Sequence, residues 1–149
     1  MPIIVRPFLP TDTDALVDIW SRAVRQTHDF LSDADFEDIH RKLGPVYLPA
    51  VEVHVACEDA RPVAFIGMSG HHVEMLFVDP LVMGGGLGRR LLAHVARRGP
   101  LTVDVNEQNP RAVGFYLHCG FAQTGRSPTD GEGRPYPLLH LAMPRPVTS

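Results

Sequence analysis

Four glycines, Gly84, Gly85, Gly86 and Gly88, stand between a run ending in Val78-Asp79-Pro80 and one that opens with Arg89-Arg90. Glycine accepts positive φ and carries no Cβ. A turn of this composition ahead of a helix can therefore aim several unpaired backbone N–H groups at one anion and let phosphate oxygens approach the chain. Its natural guest is a pyrophosphate. Of two familiar phosphate motifs, one is excluded by residue type and the other is matched incompletely. A Walker A loop needs Gly-Lys before Ser or Thr, and the only lysine in the chain is Lys42. A dinucleotide fingerprint counted from Gly84 and Gly86 needs a third glycine where Arg89 stands, although Asp104 does follow about 20 residues on.

The other chemistry-bearing types point elsewhere. None of the 8 histidines falls in a paired-ligand spacing such as H-E-x-x-H, so no metal is expected. Cys57 and Cys119 lie in apolar stretches without a C-x-x-C spacing, which suits reduced thiols in a core. A net charge of −3 with scattered basic residues offers no cationic face to nucleic acid or to an anionic membrane. No stretch approaches the roughly 20 apolar residues of a membrane-spanning helix. The opening MPIIVRPFLP lacks the order of a signal peptide, so a cytoplasmic location is expected.

The elements that must position the glycine turn can be read from periodicity. At 149 residues and 44% hydrophobic, the chain is expected to form one domain over residues 1–149. Ile3 to Arg6 reads as a strand. Leu16, Ile19, Trp20, Ala23 and Val24 mark an amphipathic helix, and Ser32 with Asp35 caps a second one that Gly44-Pro45 should stop. Strands near Glu52 to Glu58 and Val63 to Ser69 flank the turn Asp59-Ala60-Arg61-Pro62, and His72 to Val78 continues the meander. A helix through Leu87, Leu91, Leu92 and Val95, a strand from Leu101 to Val105, and a helix through Ala112, Val113, Tyr116 and Cys119 follow. Two strands, near Ala122 to Arg126 and Leu138 to Met143, close the order. A strand meander followed by strand-helix alternation implies an α/β layer with a mixed sheet, its ligand site where the sheet changes character, around Val78 to Gly88.

The pattern V-D-P-x-x-x-G-x-G-x-G, followed by N-P-R-A-V-G-F-Y-L-H-C-G-F from Asn109 to Phe121, resembles the two signature motifs of the GNAT superfamily of N-acetyltransferases. The resemblance covers essentially the whole chain, because the order β-α-α-β-β-β-α-β-α-β-β is that superfamily's order. It implies a single-domain GNAT-like α/β fold with a mixed central sheet of about six or seven strands and about four helices. Thr27-His28-Asp29-Phe30-Leu31 and Val105-Asn106-Glu107-Gln108-Asn109 are similar to the YjaB-like branch of small bacterial acetyltransferases.

The resemblance implies acetyl-CoA as cosubstrate and no metal. The backbone of Leu76, Phe77 and Val78 would pair with the pantetheine arm as an added strand does, and Gly84, Gly85, Gly86, Leu87 and Gly88 would cradle the pyrophosphate. Arg89 and Arg90 either reach the phosphates or lie on a solvated helix face. Met83 departs from the family, where Gln or Arg is usual. Asn109 either bonds the pantetheine or caps the helix it precedes. Tyr116 matches the tyrosine that protonates the departing thiolate, while Phe115 and Phe121 read as core.

Attack of a neutral amine on a thioester needs a proton acceptor but no covalent enzyme intermediate. His72 and Glu74 share one face of their strand by the two-residue period, with His72 the first candidate base, Glu74 the second, and a water chain or an already neutral amine the alternative. His28 and Phe30 follow the first helix and are candidates for the acceptor wall, with a loop role for His28 and a core role for Phe30 as the alternatives. The acceptor is a small-molecule amine or a protein amine, and the chain a monomer or homodimer. A non-catalytic acyl-CoA-binding sensor is the competing function; Tyr116 with His72 and Glu74 argues against it.

Overall fold

The computed structural model describes residues 2–27, 29–82 and 85–143. The elements follow the expected order: β1 (Ile3–Pro7), α1 (Thr13–Thr27), α2 (Asp33–Lys42), β2 (Glu52–Glu58), β3 (Arg61–Ser69), β4 (His72–Val78), α3 (Leu87–Ala96), β5 (Thr102–Asn106), α4 (Pro110–His118), β6 (Ala122–Ser127) and β7 (Leu138–Ala142). They form one seven-stranded mixed sheet in the order β1-β2-β3-β4-β5-β7-β6. Among the described residues no helix is long and apolar enough to cross a membrane.

Apolar side chains cover both faces of the sheet. On one face α1 and α2 set Leu16, Ile19, Trp20 and Phe36 against Val55 and Phe65. On the other, Leu91, Leu92 and Val95 of α3 and Tyr116 of α4 pack over Ile66, Val73 and Val103. The helical stripe read in α1 is buried throughout. Ser32 caps α2 as expected, its side chain accepting from the Asp35 N–H at 3.1 Å.

Two local expectations are sharpened. The α-helix α2 ends at Lys42, ahead of Gly44-Pro45 as expected, but the helical path continues: the chain widens into a π turn at Leu43–Tyr47 and tightens into a 3-10 turn at Leu48–Ala50. Proline cannot donate the bond that an α-helix requires, and the wider turn accommodates it while burying Leu43 and Leu48. The β2–β3 connection is also tighter than expected. Only Asp59 and Ala60 form it, at φ 51° and 66°, and β3 already starts at Arg61. Two successive positive φ values match the right-handed twist of the flanking strands. Pro62 is tolerated because the β2 register shifts opposite it, between Ala56 and Cys57.

Strands β1 to β4 pair antiparallel along their lengths. Strands β4 and β5 run parallel and meet only at His72↔Thr102 and Val73↔Val103. Beyond Val73 they separate. In β4 the register against β3 also slips: Met68 faces Val73 while the adjacent Gly67 faces Met75, so Glu74 is an extra residue. A bulge of this kind interrupts the two-residue alternation. Val73 accordingly packs with the α3 side, whereas Met75, two residues on, packs with the α1 side.

Candidate active site

The separation of β4 from β5 opens a cavity of about 420 Å³ through the sheet. Its wall on the β4 side is Val73 to Val78, and on the β5 side Val103 to Asn106. Leu76, Phe77 and Val78 pair with Ile66, Phe65 and Ala64 of β3, leaving the backbone edge that faces β5 without a ladder partner. Such an edge can take an added extended segment carrying amides.

The glycine turn forms one end. Gly85, Gly86, Leu87, Gly88 and Arg89 line the cavity there. Gly86 adopts φ 69° and ψ 22°, a left-handed conformation, and is the N-cap of α3, which has no side-chain cap bond. The first N–H groups of α3 are thus available to an anion, as at any uncapped helix start. Gly88 has a further reason to be glycine: a Cβ there would lie 3.0 Å from the Phe115 ring of α4. Gly84 and Met83 lie outside the described residues, as does His28.

Two guanidinium groups line the cavity, Arg89 and Arg111. Arg111 was not singled out from the sequence, although it sits in the Asn109-Pro110-Arg111 signature. Arg90 resolves its two expected alternatives differently, donating to the Ile3 carbonyl at 2.8 Å instead of lining the cavity. Asn109 is buried, caps α4 by accepting from the Ala112 N–H at 3.2 Å, and lines the cavity as well.

Asp79, unassigned by sequence reading, anchors the turn. Its carboxylate receives Arg22 of α1 at 2.8 Å and 3.3 Å and the Leu81 N–H at 3.0 Å, and its own N–H donates to the Val63 carbonyl at 2.9 Å. Burial pushes this carboxyl upward, but the Arg22 and Leu81 hydrogen bonds outweigh it and hold the group below the ordinary Asp range. Arg22 is 57 positions away in sequence, so no local pattern signals the pair.

Tyr116 is 7% exposed, on the α4 face that lines the cavity. Its ring packs edge-on against Phe115 and Phe121, and its hydroxyl makes no hydrogen bond among the described residues. Burial and, less strongly, Cys119 raise its pKa well above the ordinary range, so the hydroxyl stays protonated and able to donate. Phe121 is core as expected, while Phe115 is half-buried and lines the cavity.

His72 and Glu74 part company. The bulge interrupts the period expected to align them. Glu74 lines the cavity, whereas His72 sits beyond it, with its Nδ1 2.6 Å from Thr102 Oγ1 and its Nε2 3.5 Å from Asp104 Oδ2. Phe30 does not line the cavity; it packs against Tyr136 with ring centroids 6.0 Å apart. The α1 contribution to the cavity comes from Ala23, Gln26 and Thr27. Among the described residues no cluster of three or more His, Cys, Asp or Glu side chains could hold a metal ion.

Known proteins share this architecture. Residues 22–136 match the Acetyltransferase (GNAT) domain family. Peptidyl-lysine N-acetyltransferase YjaB of Escherichia coli is 46% identical over 147 residues, covering 95% of this chain and 97% of that protein. The solution structure of apo-form YjaB from Escherichia coli superposes with a TM-score of 0.90 at 43% identity, over 97% and 99% of the two chains. The structure of yncA from Salmonella typhimurium, with its cofactor acetyl-CoA, has a TM-score of 0.67 at 23% identity and covers 96% and 94% of the two chains. A motif pair, a fold and a relative spanning nearly the whole length agree, and the chain belongs to the GNAT family of N-acetyltransferases.

Proposed function

We propose that this enzyme transfers the acetyl group of acetyl-CoA to the side-chain amine of a protein lysine by direct attack, within the gap between β4 and β5. The observation that carries the reading is the order of groups along β4: uncapped helix N–H groups with Arg89 at the glycine turn, then the unpaired edge from Val78 back to Leu76, then Glu74, with Arg111 and Tyr116 supplied to the same gap by α4. That order matches a ligand with phosphates at one end, amides in the middle and a thioester at the other. Acetyl-CoA in yncA and the peptidyl-lysine activity named for YjaB support the choice of donor and acceptor.

Lysine is an ammonium ion at neutral pH and must lose a proton before its nitrogen can attack. Glu74 accepts that proton. The nitrogen lone pair then forms the new C–N bond at the thioester carbonyl, the C–S bond breaks, the nitrogen sheds its second proton to solvent, and the Tyr116 hydroxyl protonates the leaving sulfur. Tyr116 recovers a proton from solvent after CoA leaves, and Glu74 returns its own. The net reaction consumes the ammonium and the thioester and yields amide, thiol and one proton.

The test is CoA release together with the mass gain of a lysine peptide, for the wild type and Glu74→Gln. Loss of general-base help costs about 10²- to 10⁴-fold, and the deficit should narrow as pH rises and the free amine becomes more abundant. Acetyl-CoA turnover that no amine accelerates would favour a sensor over an enzyme. Full activity of Glu74→Gln at all pH values would remove Glu74 from the proton path.

A further inference from the structure

The cavity carries charges of both signs. Arg89 and Arg111 line it from the first turns of α3 and α4, whereas two carboxylates, Glu74 and Asp104, line it from the splayed strands. Among the described residues, most carboxylates that form ion pairs take an arginine or lysine: Asp12 takes Arg6, Asp79 takes Arg22, Glu52 takes Arg98 and Glu107 takes Arg126. Asp104 differs, because its ionic partners among the described residues are only His72 and His140. A cavity-lining carboxylate without a fixed cation retains its attraction for a mobile one.

Asp104 is also held in place. His140 Nδ1 lies 2.6 Å from Asp104 Oδ1, and His140 Nε2 lies 2.7 Å from Ser127 Oγ. An ionised carboxylate can only accept, so His140 Nδ1 donates to Asp104, and Nε2 on the other side of the ring is hydrogen-bonded to the Ser127 hydroxyl. The register supports the chain: Asp104 of β5 stands directly opposite His140 of β7, and Gly125 of β6 stands opposite His140 on its other side. Gly125 leaves room there, since a Cβ would come within 3.3 Å of the His140 ring. On the β4 side, His72 approaches the second carboxylate oxygen at 3.5 Å and is itself tied to Thr102 at 2.6 Å. His72, expected as the base, thus belongs to the surroundings of Asp104.

We propose that Asp104 is the seat of the acceptor's ammonium group, and that His140, backed by Ser127, positions its carboxylate. The acceptor class is a cationic primary amine on a flexible stem, and its charged end enters the gap beside Gln26 and Thr27 at the end of α1. The inference rests on the transferase reading of the same cavity and assigns Asp104 to binding, while Glu74 takes the proton. His140 and Ser127 are positioning residues, because their contacts run through Asp104.

The experiment compares two acceptors at neutral pH, a lysine peptide and an arylamine that is uncharged there. In Asp104→Asn the KM for the peptide should rise about tenfold, as expected for losing a charge-assisted hydrogen bond at a partly exposed site, while the arylamine KM and the acetyl-CoA Kd stay constant. His140→Ala should reproduce the selective rise at about threefold, and His140→Gln, whose amide can still donate to Asp104, should restore most of the loss. A merely structural cross-strand ladder would affect both acceptors alike. Equal changes for the two amines, or an unchanged peptide KM, would overturn the seat. If Asp104→Asn fails to fold, the His140 pair gives the same selective readout. A wild type that acetylates neither amine would instead defeat the transferase reading.

Discussion

Strands β1 to β4 and strands β4 and β5 show two ways of using the same kind of backbone. The first group pairs from end to end, with Phe65 and Ile66 fully buried on opposite faces of β3. The second pair exchanges contacts at two positions and then parts, and nearly every residue assigned to chemistry lines the parting. A sheet that paired completely would leave no backbone edge for a ligand's amides and no passage between its faces. In the proposed reading, binding therefore belongs where sheet hydrogen bonding stops, and the antiparallel half with its helices serves as the support.

The sharpest way to break that contrast is to empty the paired half. Phe65→Ala should cost about 3–5 kcal/mol and lower Tm by about 10 °C, read by thermal unfolding without ligand. A loss under about 1 kcal/mol would mean that the antiparallel half does not dominate stability.

The opposite signature is expected in the gap. Tyr116→Phe should lower kcat tenfold or more, a barrier increase of about 1.4 kcal/mol, while Tm and acetyl-CoA Kd change little. The hydroxyl has no partner to lose among the described residues, and the ring contacts remain. A Tm loss matching the kcat loss would make the hydroxyl structural.

Asp79 joins the halves, since it fastens the turn after β4 to α1. Asp79→Asn should cost about 1–2 kcal/mol at pH 7, toward the low side of a charged hydrogen bond because Arg22 is partly exposed. The sign of its pH dependence follows from the direction of the shift. Asp79 and Asp12 both have folded-state pKa values held below the ordinary Asp value, so their stabilisation is complete above that value and is lost as pH falls through the lower folded values. Acid titration of Tm should show a shallower decline in Asp79→Asn than in the wild type; parallel curves would refute the linkage.

The smallest effect belongs to the β2–β3 turn, far from the gap. Ala60 holds φ 66°, where an L-residue is strained, so Ala60→Gly should stabilise by about 0.5–1 kcal/mol and raise Tm by a few degrees with kcat unchanged. Destabilisation would show that the Ala60 methyl makes a contact worth more than the strain.

Much of this protein was legible without coordinates, for reasons that are local. The stripe Leu16, Ile19, Trp20, Ala23 and Val24 is a helix because its spacing follows 3.6 residues per turn, and it is buried as expected. The glycines and the signature around Asn109 and Tyr116 are contiguous, so motif and family could be read from the chain itself, and both Asn109 and Tyr116 reach the cavity. What failed was also local in form: the two-residue period aligned His72 with Glu74, but the bulge that separates them is set by the register of β3 against β4.

Residue type and order along the chain thus determined the element sequence, the place of the glycine turn and the family, because each depends on neighbours within a few positions. Tertiary structure alone decided that Glu74 faces the gap, that Gly88 is small for Phe115, that Asp79 meets Arg22, and that Asp104 is held by His140. The Glu74 outcome depends on the register of β3 against β4, and the other three depend on where an element 27 to 57 positions away, from Phe115 for Gly88 to Arg22 for Asp79, is carried by packing and strand register. No periodicity within one segment encodes such a distance, because burial and hydrogen bonding across the sheet are properties of the assembled fold.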